Sequence, residues 1–282
     1  MTISSYSKEA ASSARGAARD AAPWVERLAR LGYGAKGIVY LVIGLLAAKA
    51  AFGSGGRKID QYGAIRSILD QPFGRIMLGI VATGLIGYAL WRFVSAATDA
   101  DRHGGDAKGI AFRLGDAWSG LVYGALGVQA MRLLTGTASG GRGATQDHWT
   151  ARVMQMPMGR WLVGLAGAGV IAYGIYQLYL AVAGDVREHL DLSSLSADTN
   201  KVAVGLGRFG IGARAVIFGV VGWFFIRAAL QYDPRQASDI SDALRILEQS
   251  SGAALLGGVA IGLMAYGLFQ LVKARYRRIR VG

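Results

Sequence analysis

The chain has 282 residues, of which 52% are hydrophobic, and a formal net charge of +13. A mean hydropathy of +0.33 and 42 glycines are unusual for a soluble domain. They favour a bundle of membrane-spanning helices, in which small residues let backbones approach closely. Cysteine is absent, which excludes disulfides, thiolate metal sites and cysteine nucleophiles. The basic residues flank apolar segments, so anionic lipid is a better match for this charge than nucleic acid.

Six apolar segments predict six spans in chain order, at about 31–51, 75–92, 114–133, 160–182, 209–228 and 251–272. The uncharged runs 37–48 and 215–226 are short for a bilayer of roughly 30 Å. Long cationic side chains at their ends can extend the apolar length by snorkelling outward. The sequence therefore predicts an all-α polytopic membrane protein rather than a soluble helical repeat protein.

Short amphipathic stretches flank the spans. One precedes each even-numbered span, at 64–69, 151–155 and 242–248, and these predict short helices in the membrane interface. Pro72 and Pro157 then predict the first turn of a span, where the missing N–H costs nothing. Residues 1–26 predict an N-terminal tail with an interfacial helix that continues to about residue 30, and 273–282 a basic C-terminal tail.

The spans form three copies of a helical hairpin, at 27–93, 112–178 and 204–272. The first span of each copy carries Arg-x-Gly, then an aromatic residue, then glycine (Arg30, Gly32, Tyr40 and Gly44; Arg113, Gly115, Tyr123 and Gly127; Arg208, Gly210, Phe218 and Gly222). The second carries Gly-x3-Tyr, then an aromatic residue and a polar residue. Each copy holds an even number of spans, so all three share one orientation. This predicts pseudo-threefold symmetry about an axis along the membrane normal.

The repeated Gly-x3-Tyr permits two interpretations. In the first, Gly84, Gly169 and Gly262 are packing notches that another helix approaches. In the second, a ring of tyrosines lines a central path or ligand pocket, with polar residues one turn further on (Tyr88, Tyr173 and Tyr266; Arg92, Gln177 and Gln270). Packing is the simpler interpretation. The pocket stays open as an alternative, because a tyrosine hydroxyl at membrane depth needs a partner.

Basic residues recur at equivalent span ends and predict contacts with lipid headgroups (Lys36, Lys49, Arg132, Arg214 and Arg227). A sharper alternative is a cationic rim that selects anions or binds anionic lipid. Ser119 takes the place of Lys36 and Arg214 in the second repeat, so such a ring is incomplete.

No catalytic pattern emerges. The motif Gly205-x-Gly207-x-x-Gly210 opens a span and lacks the preceding strand that a dinucleotide site needs. The three histidines are not in metal-ligand spacing. We expect no catalytic, cofactor-binding or metal site, and no nucleic-acid partner.

Two stretches carry a family resemblance: 24–44 (WVERLARLGYGAKGIVYLVIG) and 69–91 (LDQPFGRIMLGIVATGLIGYALW). They resemble the bacterial membrane-protein family known as domain of unknown function 1206. That resemblance covers about residues 24–272 and implies three tandem two-span repeats in the inner membrane. The tripled Gly-x3-Tyr is its most specific mark. It implies no activity and no catalytic residues.

The sequence thus predicts a multi-pass protein of the bacterial cytoplasmic membrane. Of its 31 Lys and Arg, more fall on the side of the termini, which predicts that both termini are cytoplasmic. The favoured function is a non-enzymatic structural or lipid-interacting protein, with anionic membrane lipids as partners. The alternatives are a passive channel or small-solute or anion carrier lined by the tyrosines, and an assembly partner of another membrane complex. A homo-oligomer is compatible with each.

Overall fold

The chain folds as a bundle of long helices. A computed structural model describes residues 3–52, 61–99, 104, 106–137, 152–156, 158–187, 190–191, 196–231 and 240–277. Within these ranges the extended elements are all helical: α1 (Ile3–Ala51), α2 (Gln61–Leu69), α3 (Gly74–Thr98), α4 (Ala107–Leu134), α5 (Gly159–Val182), α6 (Ala197–Gln231) and α7 (Ile240–Tyr276). Each of the six apolar segments lies within one of the six long helices.

In the described part of the chain, five helical segments are long and apolar enough to cross a membrane: Glu26–Lys49, Gly74–Thr98, Gly159–Val182, Ala197–Gln231 and Ala254–Tyr276. Of the six long helices, α4 is the one outside this set. Its apolar sequence is interrupted by Arg113, Asp116 and Arg132. Many large apolar side chains are exposed on the outside of the bundle, among them Leu165 and Val182. Such a surface suits lipid as its solvent. The protein is a multi-pass helical membrane protein.

The turn between α2 and α3 differs from its predicted form. Helix α2 covers the predicted helix at 64–69. The placement of Pro72 in the first turn of a span was wrong, because α3 begins at Gly74 after Phe73, which has a left-handed φ of 60°. A Cβ on Gly74 would collide with the carbonyl oxygens that end α2, so only glycine fits this elbow.

The second repeat builds the same elbow. Met158 has a φ of 63° before Gly159, and a Cβ on Gly159 would collide with the carbonyl oxygen of Val153. Pro157 lies outside the described residues. The third repeat has no proline in 249–252, and α7 continues through this stretch without a break. The separate interfacial helix predicted at 242–248 is therefore the first part of α7. Similarly, 17–30 continues directly into the first span within α1.

The six long helices form an open ring in which neighbours pack in the order α4, α3, α1, α7, α6 and α5. Within the described residues, α4 and α5 make no extended contact: the rings of Phe112 and Tyr176 lie with centroids 5.4 Å apart, and a gap separates the two helices at Trp118 and Gly169. These two helices are the hairpin of the second repeat. The other two hairpins, α1 with α3 and α6 with α7, are packed.

An equivalent glycine lies at the contact between repeats in all three copies. A Cβ on Gly44 would lie 2.8 Å from the carbonyl oxygen of Ala260, and one on Gly222 would lie 2.7 Å from that of Gly167. The equivalent distance for Gly127 is 3.4 Å, to the carbonyl oxygen of Ala82. The last glycine of the first repeated motif therefore brings the first span of each repeat against the second span of another.

Contacts within repeats occur in only two of the three copies. Gly32 lies directly against the backbone of Tyr88 in the first repeat, and Gly210 against that of Tyr266 in the third. In the second repeat, a Cβ on Gly115 would meet nothing within 4 Å. The Arg-x-Gly motif thus marks a close approach between spans where a hairpin is closed, and the second hairpin is open.

The Gly-x3-Tyr glycines follow the same division. A Cβ on Gly84 would lie 2.6 Å from the Cβ of Ala35, and one on Gly262 would collide with the Cβ of Ala213. Gly169 has nothing within 4 Å. The packing interpretation therefore describes the surroundings of Gly84 and Gly262, but not of Gly169, because α4 does not approach α5.

Trp118 accounts for the open hairpin. It occupies the position of Ala35 and Ala213, which are 3% and 8% exposed where they contact the facing glycine. Those contacts already leave no room for more than a methyl group. An indole at the equivalent position cannot enter such a seam. Accordingly, Trp118 is 68% exposed and lies at the gap.

Matched glycine substitutions test this asymmetry. We expect Gly32→Ala to destabilise the protein by about 1–3 kcal/mol through overpacking against Tyr88. Gly115→Ala, in the same motif, should be neutral or stabilising by up to about 1 kcal/mol from helix propensity. Thermal unfolding in detergent measures both. Equal losses of stability for the two variants would contradict the open hairpin.

Candidate functional site: a cationic cavity lined by tyrosines

A cavity of about 1000 Å³ lies between the six long helices, all of which contribute lining residues. It exists because α4 and α5 stay apart. All six residues of the predicted central face line it: Tyr88, Tyr173, Tyr266, Arg92, Gln177 and Gln270. Tyr88 and Tyr266 are 2% and 4% exposed, whereas Tyr173 is 46% exposed because its hairpin is open.

Three pairs of aromatic rings surround the cavity, each joining two repeats. Tyr40 packs edge-on against Tyr266 with ring centroids 4.8 Å apart. The equivalent separations are 4.9 Å for Tyr123 with Tyr88 and 5.3 Å for Phe218 with Tyr173. The aromatic residue of the first motif thus meets the tyrosine of the second motif from another repeat. Sequence reasoning identified both motifs but gave the first-span aromatics no place at the site.

Lys36 lies inside a cluster of three tyrosines. Its Nζ donates a hydrogen bond of 3.2 Å to Tyr88 Oη. It also lies 4.8, 4.5 and 5.8 Å from the ring centroids of Tyr88, Tyr123 and Tyr266. The residue is 5% exposed, and no carboxylate among the described residues pairs with it. Cation–π attraction and one neutral hydrogen bond hold its charge.

Arg214 repeats this arrangement in the third repeat. Its Nη1 donates to Tyr266 Oη at 2.6 Å, and its Cζ lies 4.4 Å from the centroid of that ring. Tyr40 and Phe218 flank the guanidinium, with centroids 5.4 and 4.9 Å from Cζ. Arg214 is 8% exposed and has no carboxylate partner within the described part of the chain. In the second repeat, the corresponding pair is Ser119 and Tyr173, so only two of the three positions carry a cation.

The predicted headgroup contacts fall into two groups. Lys36 and Arg214 turn inward to the cavity, contrary to the expectation of outward snorkelling, because tyrosine rings and hydroxyls are available inside the bundle. Lys49, Arg132 and Arg227 are exposed on the bundle surface, near the C-terminal ends of α1, α4 and α6. A lipid headgroup can therefore reach Lys36 and Arg214 only by entering the cavity.

A third cation of the cavity is neutralised. Arg92 Nη1 pairs with Asp116 Oδ1 at 3.0 Å, and Ser95 Oγ donates to the other carboxylate oxygen at 2.9 Å. This network ties α3 to α4 and gives Asp116, the buried acidic residue of α4, a cationic partner. Lys273 and Arg277 also line the cavity, over the rings of Phe269 and Tyr33. Cations outnumber carboxylates in the lining, so the cavity attracts anions.

Several buried polar atoms of the lining have no hydrogen-bond partner within the described residues. They include two donors, Gln177 Nε2 and Arg214 Nε, and one acceptor, Gln270 Oε1. Gln177 and Gln270 are 5% and 1% exposed. Buried polar groups are normally satisfied, and an unsatisfied one costs about 1–3 kcal/mol. These atoms have almost no accessible surface, so a ligand in the cavity reaches them only after their side chains shift.

The opening of the cavity faces sideways. Leu114 and Trp118 of α4 and Ala166, Gly169 and Val170 of α5 line it along the gap. Near the C-terminus of α7, Asp185, Val186 and Leu190 also line the cavity. Leu190 there forms a bridge with Arg277, and Asp191 N donates to Tyr276 O at 2.7 Å. The cavity thus combines a polar interior with an apolar lateral opening.

These features define a multi-pass helical membrane protein built from repeats around a polar-lined cavity. The family model described as Domain of Unknown Function (DUF1206) matches three times, at residues 31–99, 114–184 and 209–277, and the chain belongs to this family. The predicted resemblance is confirmed. The chain is 34% identical over 258 residues to "Uncharacterized protein YxxB" of Bacillus subtilis (strain 168), covering 91% of this chain and 93% of that protein. No solved structure matches the chain. Neither description names an activity.

The absence of native cysteine allows a direct test of the opening. We expect Gly169→Cys, at the gap, to react rapidly with a small membrane-permeant thiol reagent. Ala35→Cys, at the equivalent seam of the closed first hairpin, should react at least about tenfold more slowly because the site is buried. Mass spectrometry of the labelled protein follows both rates. Similar labelling rates at the two positions would contradict a gap confined to the second repeat.

Proposed function

We propose that this protein is a six-span, non-catalytic protein of the bacterial inner membrane that binds a membrane lipid in its central cavity. The observation that carries the proposal is the lateral opening between α4 and α5. A cavity that opens toward the bilayer receives its ligand from the bilayer. Apolar residues along the gap suit acyl chains, whereas the tyrosines and cations inside suit a polar headgroup.

The sixth span in this proposal is α4. Its 28 residues are long enough to cross, and its acidic residue is paired with Arg92 inside the bundle. Near its start, Arg113 donates to Ala96 O at 2.7 Å and Ala97 O at 3.2 Å. These bonds satisfy carbonyl groups at the end of α3. Asp116 and Arg113 thus have partners within the protein, which supports a membrane crossing by α4 despite its modest hydropathy.

Pseudo-threefold symmetry along the membrane normal forms part of the proposal. Its support is the three ring pairs and the three glycine contacts, which join the same positions of successive repeats. The bias of basic residues supports cytoplasmic termini. In that orientation Lys49, Arg132 and Arg227 approach headgroups of the outer leaflet.

Native mass spectrometry of the purified protein tests lipid binding. We expect the wild type to retain about one lipid per chain through purification. Gly169→Trp should abolish retention, because the indole fills the gap without altering a polar residue of the lining. Ile175→Trp, on the same helix but 63% exposed and outside the lining, is the matched control and should retain lipid. A folded wild type without lipid, or retention by Gly169→Trp, would refute the proposal.

A passive anion channel or carrier is the second candidate, because repeated tyrosines and more cations than carboxylates line one cavity. The lipid proposal predicts no ion or solute flux in proteoliposomes. Measured flux that disappears on combining Tyr88→Phe, Tyr173→Phe and Tyr266→Phe would favour the channel and overturn the lipid proposal.

A further inference from the structure

We propose that the interior of the cavity, around Lys36 and Arg214, is a binding site for the phosphate of an anionic phospholipid headgroup. This inference rests on the proposed function and specifies its ligand. Phosphatidylglycerol is the probe that fits the lining best. A zwitterionic lipid of the same chain length should bind much more weakly.

The first argument is charge. Lys36 and Arg214 approach the same ring, that of Tyr266, from Nζ at 5.8 Å and Cζ at 4.4 Å. Two basic side chains therefore share one small region, and no carboxylate of the described residues pairs with either. Burying an unpaired charge is strongly unfavourable, and cation–π attraction offsets only part of that cost. An oxyanion between them would supply the missing negative charge.

The second argument is the supply of donors. Tyr88 Oη and Tyr266 Oη each accept a hydrogen bond from a cation, so each retains its own O–H for donation. Arg214 Nε and Gln177 Nε2 are buried donors without a partner within the described residues. Phosphate oxygens accept several hydrogen bonds at once and bind guanidinium groups well. The residues that carry these four donors line one cavity, and the anion reaches Arg214 Nε and Gln177 Nε2, which have almost no accessible surface, with a shift of their side chains.

The third argument separates a lipid from a soluble anion. The cavity reaches the surface between α4 and α5, where Leu114, Trp118 and Val170 offer apolar contacts to acyl chains. Gln270 Oε1 is a buried acceptor without a partner in the described part of the chain. A glycerol headgroup carries hydroxyl groups that can donate to it. Phosphatidylglycerol combines phosphate, hydroxyl groups and two chains.

Thermal unfolding of the detergent-solubilised full chain, with added ligand, tests the inference. We expect phosphatidylglycerol to raise the unfolding temperature, whereas phosphatidylcholine and free glycerol 3-phosphate at the same concentration should not. The double variant Lys36→Met, Arg214→Met should lose this shift, with an affinity reduced by about 100-fold, since hydrogen bonds to charged groups contribute most of the binding. Without ligand, the variant should be at least as stable as the wild type, because two unpaired buried charges are removed.

The exposed cations provide the matched control. Lys49→Met, Arg227→Met removes the same charge outside the cavity and should leave the phosphatidylglycerol shift unchanged. Gln177→Leu is a second test that does not depend on the folding of the double variant. Its amide nitrogen has no partner within the described residues, so the fold should survive. The affinity for phosphatidylglycerol should fall by about tenfold.

Other outcomes overturn the inference in distinguishable ways. Equal shifts with phosphatidylcholine would refute anion selectivity but leave the lipid-binding function intact. An equal shift with glycerol 3-phosphate would show that the site takes a soluble phosphate and would refute the lipid headgroup. A phosphatidylglycerol shift that survives in both the double variant and Gln177→Leu would place the anion elsewhere. Failure to retain any lipid would refute the proposed function itself.

Discussion

The indole of Trp118 needs far more room than a methyl group, and the shape of the bundle follows from that difference. In the first and third repeats, Ala35 and Ala213 let a facing glycine approach until no space remains. Repeats built from one motif would otherwise close three identical hairpins around a filled centre. One bulky residue in the second repeat keeps α4 from α5 and leaves a cavity of about 1000 Å³.

The open hairpin has consequences for charge. Burying Lys36 and Arg214 in a dry, closed core would destabilise the protein. Each cation–π contact with a tyrosine ring contributes roughly 0.5–2 kcal/mol, which is less than the free energy lost by desolvation. The cavity reaches the gap between α4 and α5, through which the anionic headgroup of our proposal would reach Lys36 and Arg214. The pairing of Arg92 with Asp116 shows another way to neutralise a cation of the cavity, an ion pair with a carboxylate of the same chain. That solution is used between α3 and α4, where the helices are in contact.

Periodicity and composition predict much of the fold. Glycine-rich apolar segments with cationic ends predict long membrane helices, and each predicted segment lies in one. The repeated motif also put Tyr88, Tyr173 and Tyr266 at equivalent positions of their helices, and all three line the cavity. Each tyrosine shares a side of its helix with the glycine four residues before it. The sequence predicts the helix boundaries less well. Pro72 precedes its helix because the turn at Phe73 and Gly74 is set by contact with α2, which no local pattern reports.

The chain alone therefore determined the repeat, the places of the long helices and the residues at equivalent positions of the three repeats, because each depends on local spacing. The direction of Lys36 and Arg214, inward to tyrosines rather than outward to water, was set by tertiary packing. So was the gap between α4 and α5. Trp118 stands plainly in the sequence, but its effect depends on how closely Ala35 and Ala213 approach their glycines. That distance exists only once the helices have packed.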